Sequence, residues 1–149
     1  MILYYLDASA WVKRYYREPG TLWIQQLFEG DAILACATIG LVEVAATLAR
    51  KGKGMRIDQA DLKRKSSELS HDWRRFTQIH LTAEVLASSR VAAESGLRGA
   101  DAIHLASARV LSSRLSIEND LVVLVTADVE LKLAAEIAGI AVLDPANTE

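Results

Sequence analysis

Cysteine is nearly absent: Cys36 is the single one in 149 residues. One cysteine closes no internal disulfide and builds no cysteine-rich zinc site. It lies in the apolar run Ala32-Ile33-Leu34-Ala35-Cys36, where a thiol packs as a small hydrophobe. That usage suits a reducing compartment. Proline and glycine are scarce as well, at 2 and 8, which argues against a loop-rich or all-β scaffold. No apolar run nears the roughly 18 uninterrupted residues of a membrane span. The apolar start over residues 1–6 has no basic lead and is stopped by Asp7, so it does not read as a signal peptide. The expectation is a soluble, cytoplasmic protein with no membrane partner. No charge of one sign dominates either, the net being −2.

What is present is a large apolar fraction, 51%. With this length it predicts a real core and one domain over residues 1–149. The charge is unevenly spread. Residues 1–75 hold 12 Lys/Arg and 9 Asp/Glu, and residues 76–149 hold 5 and 10. The basic residues cluster at Lys13, Arg14 and Arg17, at Arg50, Lys51, Lys53 and Arg56, at Lys63, Arg64 and Lys65, and at Arg74 and Arg75. Together they would steer a polyanion. Taken singly, each cluster is solvated helix surface.

Short apolar runs alternate with helical patterns throughout. Strands are predicted over 2–6, 32–36, 121–125 and 140–143, with a short one at 78–81. Helices are predicted over 9–16, 21–29, 38–51, 58–76, 82–94, 99–115 and 128–138, with Thr38, Asp58 and Thr82 as N-caps. Gly52-Lys53-Gly54 is read as a stop. The alternation predicts an α/β fold, a central and mainly parallel sheet of about five short strands flanked by helices.

Ligands of open α/β sheets bind at the carboxyl ends of the strands. Asp7 directly follows the first strand, and Thr126 and Asp128 follow the most apolar one. For Asp7, Asp101 or Asp128 alone, helix capping is as good an account as chemistry. Glu43 is harder to dismiss. It sits mid-helix among Ile39, Leu41, Val42, Val44, Ala45 and Leu48, where a carboxylate needs a partner or a ligand. A salt bridge to Arg50 is the bland account. Asp101 has a similar setting, ahead of Ala102, Ile103, Leu105 and Ala106. Four converging carboxylates repel one another unless a divalent cation neutralises them. All-oxygen ligands favour Mg²⁺ or Mn²⁺ over zinc. Paired hard metals roughly 3.5–4 Å apart are standard for phosphodiester hydrolysis.

The pattern resembles PIN-domain ribonucleases, in particular the toxin (VapC-type) half of bacterial and archaeal type II toxin–antitoxin pairs. Four stretches carry the resemblance, nearly end to end. They are Tyr5-Leu6-Asp7-Ala8-Ser9-Ala10 with Lys13 and Arg17-Glu18-Pro19-Gly20, then Thr38-Ile39-Gly40-Leu41-Val42-Glu43-Val44, then Gly99-Ala100-Asp101-Ala102-Ile103-His104-Leu105-Ala106, and Thr126-Ala127-Asp128 with Leu131, Ala134-Ala135 and Gly139. The resemblance implies a single PIN-like domain whose acids form the metal site at one end of a parallel sheet. Asp7 and Asp101 match the core ligands, while Glu43 and Asp128 complete the site, often through water. Ser9 and Thr126 match hydroxyls that orient those ligands from behind. Implied also are cleavage of RNA by metal-activated water, a cognate antitoxin inserted into the groove, and a homodimer. The departures are few: Ala8 stands where Thr or Ser is frequent.

Other residues are read more plainly. His104, three after Asp101, is expected to pack or to support a ligand, because the site is rich in oxygen. His71 and His80 are expected on surface or loop. Trp11 and Tyr15 are expected in core or dimer packing rather than stacked on bases. Arg98 is a phosphate contact or a free surface arginine. Other enzymes fit less well. A haloacid-dehalogenase-type phosphatase needs Asp where Ser9 stands, a response-regulator receiver needs an early acidic pair, and a dinucleotide site needs Gly-x-Gly-x-x-Gly after the first strand. The remaining alternative is a PIN-like module that binds RNA or a partner without cleaving.

Overall fold

A computed structural model describes residues 1–55, 58–116 and 119–148; Arg56, in one basic cluster, lies outside them. Five strands form one sheet: β1 (Ile2–Leu6), β2 (Ile33–Ala37), β3 (Thr77–Ile79), β4 (Leu121–Val125) and β5 (Ala141–Leu143). Their order is β3-β2-β1-β4-β5, and every pairing is parallel. The chain therefore builds out from β1 in one direction, then returns to pair β4 on β1's other side. That reversal opens a crevice at the carboxyl ends of β1 and β4, the usual ligand position in such sheets.

Side-chain alternation along the strands separates two cores. On one face Leu6, Leu34, Cys36 and Val125 pack with Trp11, Ile24, Val44 and Leu69. These come from α1 (Ala8–Trp11), α2 (Thr21–Glu29), α3 (Thr38–Gly54) and α4 (Gln59–Trp73). On the other, Leu3, Tyr5, Ala35 and Leu124 pack with Leu105, Leu131 and Ala135. That face is covered by α6 (Gly99–Leu115) and α7 (Val129–Ile137), with α5 (Ala83–Glu94) packed on α6. Among the described residues no helix is long and apolar enough to cross a membrane.

Most predicted elements stand within a residue or two. Some boundaries move for identifiable reasons. The first helix is a single turn, Ala8–Trp11, tightened into a 3₁₀ turn over Val12–Arg14. Ala37, not Thr38, is the N-cap of α3, and Thr38 is its first helical residue. Gly52 does not stop α3: it is buried under Leu62 of α4, which lies so close that an added Cβ would come within 3.3 Å of it. Asp58 and Thr82 do cap, accepting from the Asp61 and Val85 N–H groups.

Candidate functional site

Asp7 leaves β1 and caps α1, and it is 97% buried. Its Oδ1 accepts from the Ala10 N–H at 3.0 Å and from Ser9 Oγ at 2.8 Å. Its Oδ2 accepts from Thr126 Oγ1 at 2.7 Å. Burial holds its carboxyl above the ordinary range, outweighing His104 and the donors of Thr126, Ser9 and Ala10. Thr126, fully buried, comes from the neighbouring β4 end. Its hydroxyl also takes the Asp128 N–H at 3.0 Å, while Ser9 Oγ takes the Ala127 N–H at 3.0 Å. Ser9 and Thr126 thus lace the two strand ends together around Asp7.

Asp128 caps α7, its Oδ1 accepting from the Leu131 N–H at 2.9 Å. Asp101 stands in the first turn of α6. Its carboxyl is pushed up to about 6 by burial and then by the carboxylates of Asp128, Asp7 and Glu43. The four acids therefore share one field. Capping and site-building coincide at Asp7 and Asp128, because a cap fixes the side chain over the crevice.

Glu43 does not pair with Arg50, which instead donates to Thr47. Its Oε1 lies 2.5 Å from His104 Nε2 on α6. His104 is 99% buried, and its Nδ1 is 2.8 Å from the Tyr5 hydroxyl. Tyr5 reads in the sequence as an apolar strand residue, so nothing there marks its hydroxyl for this role. Burial first, then Cys36, keeps Tyr5 a phenol well above its ordinary value. Cys36, beneath the site, is likewise held as a thiol by burial and then by Asp7 and Glu43.

A groove of about 650 Å³ opens beside the acids, lined by Ser9, Lys13, Glu43, Thr47, Arg50 and Lys51. Of the four acids only Glu43 lines it. Glu18 sits between Lys13 and Lys51, each 3.1 Å away. Burial alone would raise Glu18, but the two ammonium groups hold it below its ordinary value. Trp11 and Tyr15 are core residues, joined by an indole–hydroxyl bond of 3.0 Å. His71, His80 and Arg98 are exposed.

Among the described residues no three His, Cys, Asp or Glu side chains are gathered tightly enough to hold an ion as they stand. Asp7 is held by Ser9 and Thr126, Glu43 by His104 through Oε1 alone, and Asp128 through Oδ1 alone at the start of its helix. The donor set is nonetheless all carboxylate, and Asp128, Asp7 and Glu43 raise the proton affinity of Asp101. That is the chemistry that a hard divalent cation relieves.

Residues 4–137 match the family model described as the PIN domain. Two curated proteins of Mycobacterium tuberculosis are each 33% identical to the chain over 109 residues, spanning 72% of it and 76% of their own length. They are ribonuclease VapC45 (strain CDC 1551 / Oshkosh) and ribonuclease VapC49 (strain ATCC 25618 / H37Rv). Among solved structures, PAE2754 from Pyrobaculum aerophilum aligns with a TM-score of 0.62 at 23% identity, over 95% of this chain and 83% of that one. VapBC2 from Rickettsia felis, bound to a DNA fragment from its promoter, aligns at 0.59 and 17%, over 96% and 98%. At such identities these structures bear on the fold.

Proposed function

The chain belongs to the PIN-domain family, and from that premise we propose that it is a divalent-metal-dependent endoribonuclease, the toxin half of a type II toxin–antitoxin pair. The observation that carries the reading is the charge of Asp128, Asp7 and Glu43 reaching Asp101 at the sheet's carboxyl end. Asp7 and Asp101 would hold the metal, with Glu43 and Asp128 completing the site. Mg²⁺ or Mn²⁺ suits four carboxylates better than zinc does. When bound, the metal supplies Lewis acidity and a water acidic enough to attack phosphorus near neutral pH. Ser9 and Thr126 donate to the two oxygens of Asp7 and would fix its orientation beside the metal. Lys13, Arg50 and Lys51 offer cationic charge along the groove for a phosphate backbone.

A toxin–antitoxin complex from Klebsiella pneumoniae among the structural neighbours supports a cognate antitoxin as partner. Membership of the family supports a homodimer, and an RNA substrate would be met in the cytoplasm. The test is RNA cleavage by purified, antitoxin-free protein with Mg²⁺ or Mn²⁺, beside EDTA and an Asp7→Asn variant. Cleavage is expected with metal and is expected to fall to background in both controls. Cleavage surviving both would overturn the metal mechanism. No cleavage by a folded sample would favour a non-cleaving RNA- or partner-binding module.

A further inference from the structure

The bond from His104 to Glu43 is the end of a longer buried chain. It begins at the Ala37 N–H, which donates to the Tyr5 hydroxyl at 3.0 Å. That oxygen, already accepting, has its own proton to give to His104 Nδ1 at 2.8 Å. The imidazole proton then lies on Nε2, facing Glu43 Oε1 at 2.5 Å. An ionised carboxylate has no proton of its own, so this is the arrangement that makes the contact attractive.

We propose that Tyr5 and His104 are positioning residues that hold Glu43 in the metal site. This rests on the reading of Glu43 as one of the metal-site acids. Tyr5 belongs to the core on the α5–α7 face of the sheet, whereas Glu43 reaches the site from α3 on the opposite face. His104 spans the end of the sheet between them. A Glu side chain on a helix surface, one-third exposed, has several rotamers open to it. The chain removes that freedom by anchoring the carboxylate to a strand backbone. Gly40, one turn before Glu43, lets α3 lie close over Cys36, whose Sγ a Cβ there would overlap, and leaves His104 in ordinary contact. Asp101 is three residues before His104, on the same side of α6. One helix thus carries one site acid and the strut for another.

The test is Mn²⁺ binding to antitoxin-free protein by isothermal titration, without RNA, alongside thermal melting. His104→Leu is expected to weaken Mn²⁺ about 10- to 100-fold, the usual effect of removing a group that supports a ligand. His104→Gln, whose amide nitrogen reaches the place of Nε2, is expected to recover most of that loss. His104→Asn reaches only the place of Nδ1 and is expected not to. On a Glu43→Ala background, His104→Leu is expected to have no further effect. A folded His104→Leu with unchanged affinity overturns the proposal. So does equal rescue by Gln and Asn, a comparison that decides the matter even where the Leu variant fails to fold. Wild-type protein that binds no Mn²⁺ overturns the metal-site reading itself, and the strut with it.

Discussion

Asp101 shows at the scale of one residue what building this site costs the fold. Its carboxyl sits at about 6 because of burial and the neighbouring Asp128, Asp7 and Glu43. Unfolded, an aspartate titrates near 4. Stability that depends on the neutral carboxyl is therefore fully present below about pH 4 and lost as pH rises through about 6. An Asp101→Asn variant stays neutral at every pH. In EDTA the two proteins are expected to melt alike near pH 4, with the variant melting higher above pH 6; assayed with Mg²⁺, the variant's RNA cleavage is expected to fall to background. A variant that melts lower than wild type at pH 7 would sink this account. Opposite movement of stability and activity is what a site of crowded like charges should give. That these acids would lie near one another was legible from sequence, because a carboxylate in an apolar helix, or just past an apolar strand, is a conspicuous expense. Tyr5 was not marked at all, and His104 was read only as packing or supporting a ligand, since a buried tyrosine or histidine looks the same in either role.

Elements were legible where the signal is local. The five apolar residues of β4 and the Asp58 and Thr82 caps lie where periodicity and capping chemistry put them. Boundaries set by tertiary contact were not. Gly52 continues α3 because Leu62 of α4 covers it, and no local rule contains that helix. Gly40 is the sharper case. In isolation, alanine there would favour the helix by about 1 kcal/mol. In the fold its Cβ would overlap the buried Cys36 Sγ beneath α3, and overpacking costs about 1–3 kcal/mol. Gly40→Ala is expected to lose about 1 kcal/mol in urea unfolding. The same change on a Cys36→Ala background is expected to be neutral or stabilising, since the obstructing sulfur is gone. Equal cost in both backgrounds would mean that something other than Cys36 demands glycine at this place.

For the whole molecule, the uneven charge of the sequence becomes a division in space. The basic clusters belong to the first part of the chain, whose helices α1–α4 cover one face of the sheet, and the acidic part supplies α6 and α7 on the other. The groove lies on the basic side, yet two of its cations, Lys13 and Lys51, are held by Glu18. Arg50, exposed and bonded to the neutral Thr47 hydroxyl, keeps its charge available to a polyanion. Each phosphate neutralised on a single strand contributes about −0.7 to the slope of log affinity against log salt. Binding of single-stranded RNA in EDTA, followed across a salt series, should therefore separate these roles. Arg50→Ala is expected to weaken binding and flatten the slope by about 0.7. Glu18→Gln removes the carboxylate that competes for Lys13 and Lys51, so it is expected to strengthen binding and steepen the slope. Arg74→Ala, exposed but outside the groove lining, serves as the reference for general surface charge. If all three variants shift the slope only by their change in net charge, with Arg50 and Arg74 indistinguishable, the RNA does not run along this groove. If Arg50 and Glu18 move it in opposite directions and Arg74 leaves it alone, the path of the backbone past Glu43 is fixed.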